Sequence, residues 1–455
     1  MNLLFTPVGD TDPVRGFHDG AVLHIIRHYD IGGVVIFLTK DMEEREETFH
    51  CYSEGIRSVR PDCRITWIRS GMADPHRYDS LTVIQKEFDR YFQEEPDSRW
   101  FLNVSSGTPQ IKTVMAMLAV DYPSCTAVQV SSPEQKSNRS NAPCSMEEWK
   151  DMIECNEDAQ EGAPSRCTEP PLRILKRHGI RLQIESLVSQ YEYRGALQLL
   201  EQNRDMFSET SGKLLRHAVY RSNLMWKKAN EEMADYHGKA LIFHPGDFSE
   251  YFQVMEMRQR KGQLADFLVK LSPVLMALGV KYVGSLPGFR LQDCLEPDRS
   301  WEKGSRKKEE YPRMRLSRRR INTAYPQLLF ALDGQYRGGL RDGDDLKFDN
   351  LVKICEYLQT ITPLNHSEKH GKVLSLFKEL RQAEEAVRNP IAHTITNMTE
   401  GKIQELISDN HVTEWDSSKI MQKLHETVVL VYGRDIHWSY PDLNQKICDS
   451  LQMIP

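Results

Sequence analysis

The chain has 455 residues, 40% of them hydrophobic and 27% charged, and carries a formal net charge of -6. That length suits two or three domains, each burying its own core, and the composition excludes a disordered or fibrous chain. The acidic balance argues against a protein that coats nucleic acid without specificity, because such binding draws on many cations neutralising phosphates; local basic patches stay compatible with it.

The first 130 residues alternate β-rich runs with helical patterns. Strands are predicted at Leu3 to Phe5, Gly33 to Leu38 (GVVIFL), Arg64 to Ile68, Trp100 to Val104 and Thr126 to Val130, with room for a helix in each interval. That βαβ series implies a mainly parallel sheet with helices on both faces. In such sheets the ligand crevice lies outside the carboxyl ends of the strands, so the loops that follow strands carry the chemistry. Ser131 to Pro171 is polar and rich in Ser, Pro and Gly around one short helix near Met146 to Ile153, and reads as a linker or surface excursion. From Leu172 onward strand signals fade and apolar residues recur at helical intervals, so the second half is expected to be α-helical. A basic stretch from Lys303 to Arg320 interrupts it, read as a solvated face or an RNA-contacting strip. After the turn GGLRDGDD, Leu346 to Leu358 mark one helix and Val373 to Leu380 the next, with a boundary near Gly339.

No run approaches 18 apolar residues, and the start MNLLFTPVGDTD has no basic segment ahead of a long apolar stretch, so no membrane association and a cytoplasmic location are expected. The nine cysteines are scattered without a C-x-x-C pair, which disfavours structural zinc and a disulfide framework.

Two N-terminal loops have ligand chemistry. After the first strand comes VGDTDPVRGFHDG, with Asp10, Thr11 and Asp12 ahead of Pro13; after the fourth comes NVSSGTPQIKT. There Thr108 sits where an N-cap belongs, Pro109 takes the first helical position, and Gly107 lets the backbone approach a ligand. A helix N-terminus with small hydroxyl residues is a phosphate site, although an ordinary capped turn has the same look. No G-K-[ST] follows, so it is not a P-loop.

Near the C-terminus stands EEAVRNPIAH, Glu384 to His393. On a continuous helix Arg388 and His393 would lie about 140° apart, so their convergence needs a break. Pro390 disfavours helical backbone at Asn389, which predicts a helix ending at Arg388 and a new one capped by Asn389. Arginine offers a fork of donors for a phosphorane and histidine exchanges protons near neutrality, a pairing suited to metal-independent RNA cleavage by the ribose 2′-hydroxyl. His393 would be the general acid or base, Arg388 would stabilise charge, and Asn389 would orient either.

Spacing alone says little: chance placement gives about one R-x-x-x-x-H match, the chain has three, and a plain helix junction is the competing reading of Arg388 with His393. Arg45 with His50 reads as a solvated helix face, and Arg173 with His178 as a basic helix start. His366 and His370 have the spacing of a metal pair but no third ligand, and read as an exposed helix start. No G-x-S-x-G elbow appears.

Together, VGDTDP after the first strand, NVSSGTPQIK after the fourth, YEYRGALQLL in the middle and RNPIAH near the end resemble the CARF-HEPN ribonucleases of type III-A CRISPR systems over the whole chain. The resemblance implies an α/β Rossmann-like CARF domain at 1-170, with the polar linker from about 131, then all-α middle (171-338) and HEPN (339-455) domains. It implies a homodimer whose CARF domains bind a cyclic oligoadenylate, usually the hexamer and less often the tetramer. Binding would activate single-stranded RNA cleavage at a composite site of both copies of Arg388, Asn389 and His393, leaving a 2′,3′-cyclic phosphate. No metal or other cofactor is implied, and no stable association with the CRISPR effector complex. Ligand contacts carried over are Thr11, Asp12, Ser105, Ser106, Gly107, Thr108 and Gln110, with Thr39, Lys40 and Asp79 from the corresponding loops. Some family members slowly cut their own activator, for which Thr108 is the residue expected to matter. Two other classes compete: a nucleotide-sensing interaction module without catalysis, and an ungated toxin-like ribonuclease.

Overall fold

Residues 1–133, 145–235, 246–296, 314–361, 364, 367–393, 397–408 and 415–453 are described by the computed structural model. Two units are separable, Met1–Ile180 and Arg181–Pro455.

In the first unit the strands in chain order are β1 (Asn2–Pro7), β2 (Val14–Arg15), β3 (His18–Asp19), β4 (Gly33–Leu38), β5 (Arg64–Arg69), β6 (Arg99–Asn103), β7 (Thr126–Val130) and β8 (Cys167–Thr168). The five expected strands are all present, and with β8 they form one six-stranded sheet in the order β5-β4-β1-β6-β7-β8. Every pairing is parallel except that of β8 with β7. Period-2 alternation splits β1 between two cores: Leu3 and Phe5 pack with Phe88, Trp100 and Met115, while Leu4 packs on the other face with Leu23, Ile56 and Phe101. Burial of GVVIFL throughout β4 is what helices on both faces require. From β1 the chain steps outward to β4 and β5, then returns to β6 on β1's other side. The order therefore reverses between β1 and β6, and a crevice opens outside their carboxyl ends.

The stretch expected to be a linker folds, in its described part, into this unit. A helix spans Met146–Glu154, Trp149 is buried, and β8 closes the sheet edge. Its polar residues tie it down: the Asp158 carboxylate accepts from the Asp19 amide at 2.8 Å and from Arg166 at 2.6 Å. The expectation of a linker or surface excursion fails for the described part because polarity here marks a buried hydrogen-bonded network. Arg45 departs from its solvated-face reading as well, since it is half-buried and donates to Asp10 at 3.1 Å.

The second unit is helical, as expected, among its described residues. One core runs from Phe252 to Val428, and the two helices read from the sequence appear as Phe348–Ile361 and Glu368–His393. His366 lies outside the described residues. His370 is buried rather than at an exposed helix start: its Nδ1 lies 2.8 Å from the Tyr282 hydroxyl and its Nε2 3.0 Å from the Cys355 carbonyl. With Nε2–H facing that carbonyl, Nδ1 is left to accept from the tyrosine, so both ring nitrogens have partners. Of the basic stretch, 303–313 lies outside the described residues. Arg318 pairs with Asp333 and donates to the Leu340 carbonyl at 2.8 Å, which fits a structural end to that stretch.

His217, on the helix Glu209–Ser222, yields a pH prediction. Burial pushes its pKa down to about 4, although its Nδ1 lies 2.7 Å from the Ala229 carbonyl. A depressed folded pKa means the neutral ring stabilises above the unfolded value near 6.5, and that contribution is lost as pH falls toward 4. The shift corresponds to about 3 kcal/mol, so His217→Gln is expected to flatten the fall in urea-unfolding free energy between pH 6.5 and 4. An unchanged slope in the variant would refute the assignment.

Candidate functional site

The crevice is built from two loops that touch backbone to backbone. A Cβ on Gly9, after β1, would stand 3.0 Å from the Gly107 nitrogen, after β6. Gly107 has φ +87, and a Cβ there would meet Ile111 Cγ2 at 2.9 Å, so a side chain is excluded twice over. The N-terminus of the helix Pro109–Asp121 is capped as expected: Thr108 Oγ1 accepts from the Ile111 amide at 3.3 Å and donates to the Pro75 carbonyl at 3.0 Å. Asn103 shapes the β6 loop. Its Nδ2 donates to Thr6 Oγ1 and Ser106 Oγ at 2.9 and 2.7 Å, and its Oδ1 accepts from the Ser105 amide at 2.8 Å. Ser105 Oγ in turn accepts from the Val130 amide at 2.7 Å, tying the loop to β7.

The cavity between these loops holds about 590 Å³. Of the ligand residues expected from the sequence, Thr11, Thr39, Ser105, Gly107 and Thr108 line it. Asp12 and Ser106 lie buried beneath it. The Asp12 carboxylate accepts from the Gly9 and Val22 amides at 3.1 and 3.2 Å, so it braces the loop and the start of the next helix. Burial raises its pKa, against hydrogen bonds from Ser106 and those two amides and the field of Lys112. Lys40 and Asp79 are exposed and outside the lining, although Pro75 and His76, just before Asp79, belong to it. Gln110 is half-buried in the first helical turn, its Oε1 without a hydrogen-bond partner among the described residues.

Three cationic side chains in the lining escaped the sequence reading: Arg15, Lys112 and Arg166. Lys112 had a signal, one turn beyond Thr108 in TPQIK; Arg166, from the presumed linker, had none. Arg166 Nη1 donates to the Ser131 carbonyl at 2.6 Å, Nη2 to the Asp19 carbonyl at 2.9 Å, and its amide to His24 Nε2 at 2.9 Å. Behind it, Asp19, His24 and Asp158 bring ligand-type atoms within 4.8 Å of one another, a metal-like grouping. Protein donors already hold much of this grouping: Asp19 accepts from Arg27 at 2.8 and 3.1 Å and from Asn156 at 2.7 Å. Burial opposes the Asp19 charge, but bonds from His24, Arg27 and Asn156 outweigh it and hold the pKa at about 2. Chemically this is a salt-bridged clasp, and the cavity beside it mixes hydroxyls, three cations, the carboxylates of Asp10, Asp19 and Asp41, and a helix N-terminus; the hydroxyls, cations and helix end suit a phosphate ligand.

In the second unit the expected helix break is absent. One helix runs Glu368–His393 through Asn389 and Pro390. Val373, Phe377, Leu380, Ala383 and Val387 bury one stripe of it in the core, and a proline in the last turn forfeits only its own bond to the carbonyl four residues back. Arg388 and His393 of one copy are therefore about 140° apart around the axis and about 7.5 Å along it. Arg388 is 61% exposed, its Nη1 3.7 Å from Oε1 of the buried Glu384. The side chains of Asn389 and His393 lie outside the described residues.

A Rossmann-like unit with a ligand cavity at its switch point, followed by a helical unit whose long core helix ends in RNPIAH, defines a CARF-HEPN protein. Family models agree: a Csm6 CARF domain matches residues 62–167, a Csm6 6H domain 170–222 and a Csm6 HEPN domain 224–448. The chain belongs to the Csm6 family. A curated CRISPR system endoribonuclease Csm6 of Mycobacterium tuberculosis is 29% identical over 322 residues, covering 69% of this chain and 75% of that protein. The Csm6 of Enterococcus italicus is 28% identical over 302 residues, covering 62% and 67%. A solved structure of Enterococcus italicus Csm6 bound to cyclic hexa-2′-fluoro-hexa-dAMP shares the fold, with a TM-score of 0.57 and 20% identity over 99% of this chain and 100% of that one. Among the described residues no helix is long and apolar enough to cross a membrane.

Proposed function

We propose that this chain is a CRISPR-associated endoribonuclease gated by a cyclic oligoadenylate, with hexa-adenylate the preferred ring. The observation that carries the reading is the cavity at the β1/β6 switch point, walled by Arg15, Lys112, Arg166 and hydroxyls, in the same chain as RNPIAH. Support comes from relatives named endoribonucleases and from the relative solved with a cyclic hexanucleotide. The nucleophile belongs to the substrate: the ribose 2′-hydroxyl attacks phosphorus, its proton passes to a base, and the leaving 5′-oxygen takes a proton from an acid. A 2′,3′-cyclic phosphate results, and neither water nor a metal enters the step. His393 transfers protons, Arg388 stabilises the phosphorane and Asn389 orients them. The two key residues diverge on one continuous helix, and a site composed from two copies of the chain, with a homodimer as the working form, would let an arginine and a histidine converge. Slow cutting of the ring beside Thr108 would limit the response in time; the enzyme acts free in the cytoplasm, without stable attachment to the effector complex.

The test is cleavage of labelled single-stranded RNA in EDTA, with no ring, the tetramer or the hexamer. Cleavage only with a ring, strongest with the hexamer, is expected. Equal cleavage without a ring would leave an ungated ribonuclease, and none with any ring would leave a sensing module.

A further inference from the structure

Glu384 stands four residues before Arg388 and is 2% exposed, an unusual burial for a carboxylate. Its Oε2 pairs with Arg381, but its Oε1 is buried and has no hydrogen-bond partner among the described residues. Arg381 is itself heavily shared. It grips Asp349 through two bonds of 2.8 and 2.9 Å and reaches Glu385 at 2.8 Å, and it makes no hydrogen bond to the second oxygen of Glu384. Burial works against the Arg381 charge, yet Asp349, Glu384 and Glu385 together hold its pKa above the ordinary value. Three carboxylates thus share one arginine, and Arg388 Nη1 stands 3.7 Å from the open oxygen. A buried acceptor left open carries a penalty that is relieved when a donor closes on it.

We infer that Glu384 is a positioning residue for Arg388. Its open Oε1 captures one edge of the Arg388 guanidinium when the two-copy site assembles, which fixes the plane of the fork and leaves its other edge for the phosphorane. Asp349, through Arg381, in turn fixes Glu384. The inference rests on the proposed role of Arg388 and deepens it: a long exposed arginine on a helix end samples many rotamers, whereas one held by a buried carboxylate presents a defined donor pair.

The test uses the full chain with activator, reading kcat and KM for RNA, activator affinity and the thermal midpoint. Glu384→Gln keeps the shape and removes the charge. It is expected to lower kcat about 10- to 100-fold, the range seen when partners that orient site ligands are removed, with KM, activator affinity and thermal midpoint little changed. Glu384→Asp retains the charge one methylene further back and is expected to recover part of that loss. Should Glu384→Gln fail to fold, Glu384→Asp carries the test and must still lower kcat several-fold. Wild-type kcat in either folded variant while Arg388→Ala is inactive overturns the role of Glu384 alone. A kcat loss that follows the thermal midpoint also overturns it, because the residue is then merely structural. Wild-type cleavage by Arg388→Ala overturns the catalytic assignment first and this inference with it.

Discussion

Replacing His393 with alanine is expected to abolish activator-dependent RNA cleavage, by about 10²- to 10⁴-fold if it transfers a proton in the rate-limiting step. Arg388→Ala is expected to cost about 10²- to 10³-fold, the usual worth of a preorganised donor aimed at developing negative charge. Neither change should unfold the protein. The core stripe of the helix consists of Val373, Phe377, Leu380, Ala383 and Val387, and Arg388 is mostly exposed. Activator affinity should also be unaffected in both variants, since the cavity belongs to the other unit. The measurement is single-turnover cleavage in EDTA beside a ring-binding titration. Full cleavage by His393→Ala would remove the general acid-base assignment, whereas loss of ring binding would show that the substitution acts on the fold.

The parts read from sequence were those whose signals are local. GVVIFL reads as a buried strand because parallel strands covered on both faces need unbroken apolar runs, and Thr108-Pro109 reads as a helix start because capping chemistry lies within four residues. The clasp was illegible for the opposite reason. Asp19, His24, Asp158 and Arg166 meet across more than 130 residues of chain, and no propensity or spacing encodes that meeting. Its polarity even pointed the wrong way, toward a linker, because polar composition signals solvent only where the polar groups lack partners. The same limit explains the continuous helix: the local rule for proline predicted a break after Arg388, and the apolar stripe before it supplied more than one lost hydrogen bond could remove.

The clasp gives the second large effect, with Arg166→Met expected to destabilise the N-terminal unit and to blunt activation together. Arg166 is 14% and Asp158 7% exposed, at 2.6 Å, so removing the cation leaves a buried carboxylate with much of its compensation gone. Breaking a pair of this kind costs about 3–5 kcal/mol, and the partial exposure of Arg166 places the expectation near the lower figure. The same arginine closes a wall of the cavity by holding the end of β7 through Ser131, so half-maximal activation should need more ring. Adding Asp158→Asn separates the two effects. The double variant no longer buries an unpaired charge and should regain much of the thermal stability, while the wall stays open and the ring requirement stays raised. If the double variant recovers both, the ring requirement merely followed stability; if Arg166→Met alone changes neither, the arginine is not the tie its hydrogen bonds describe.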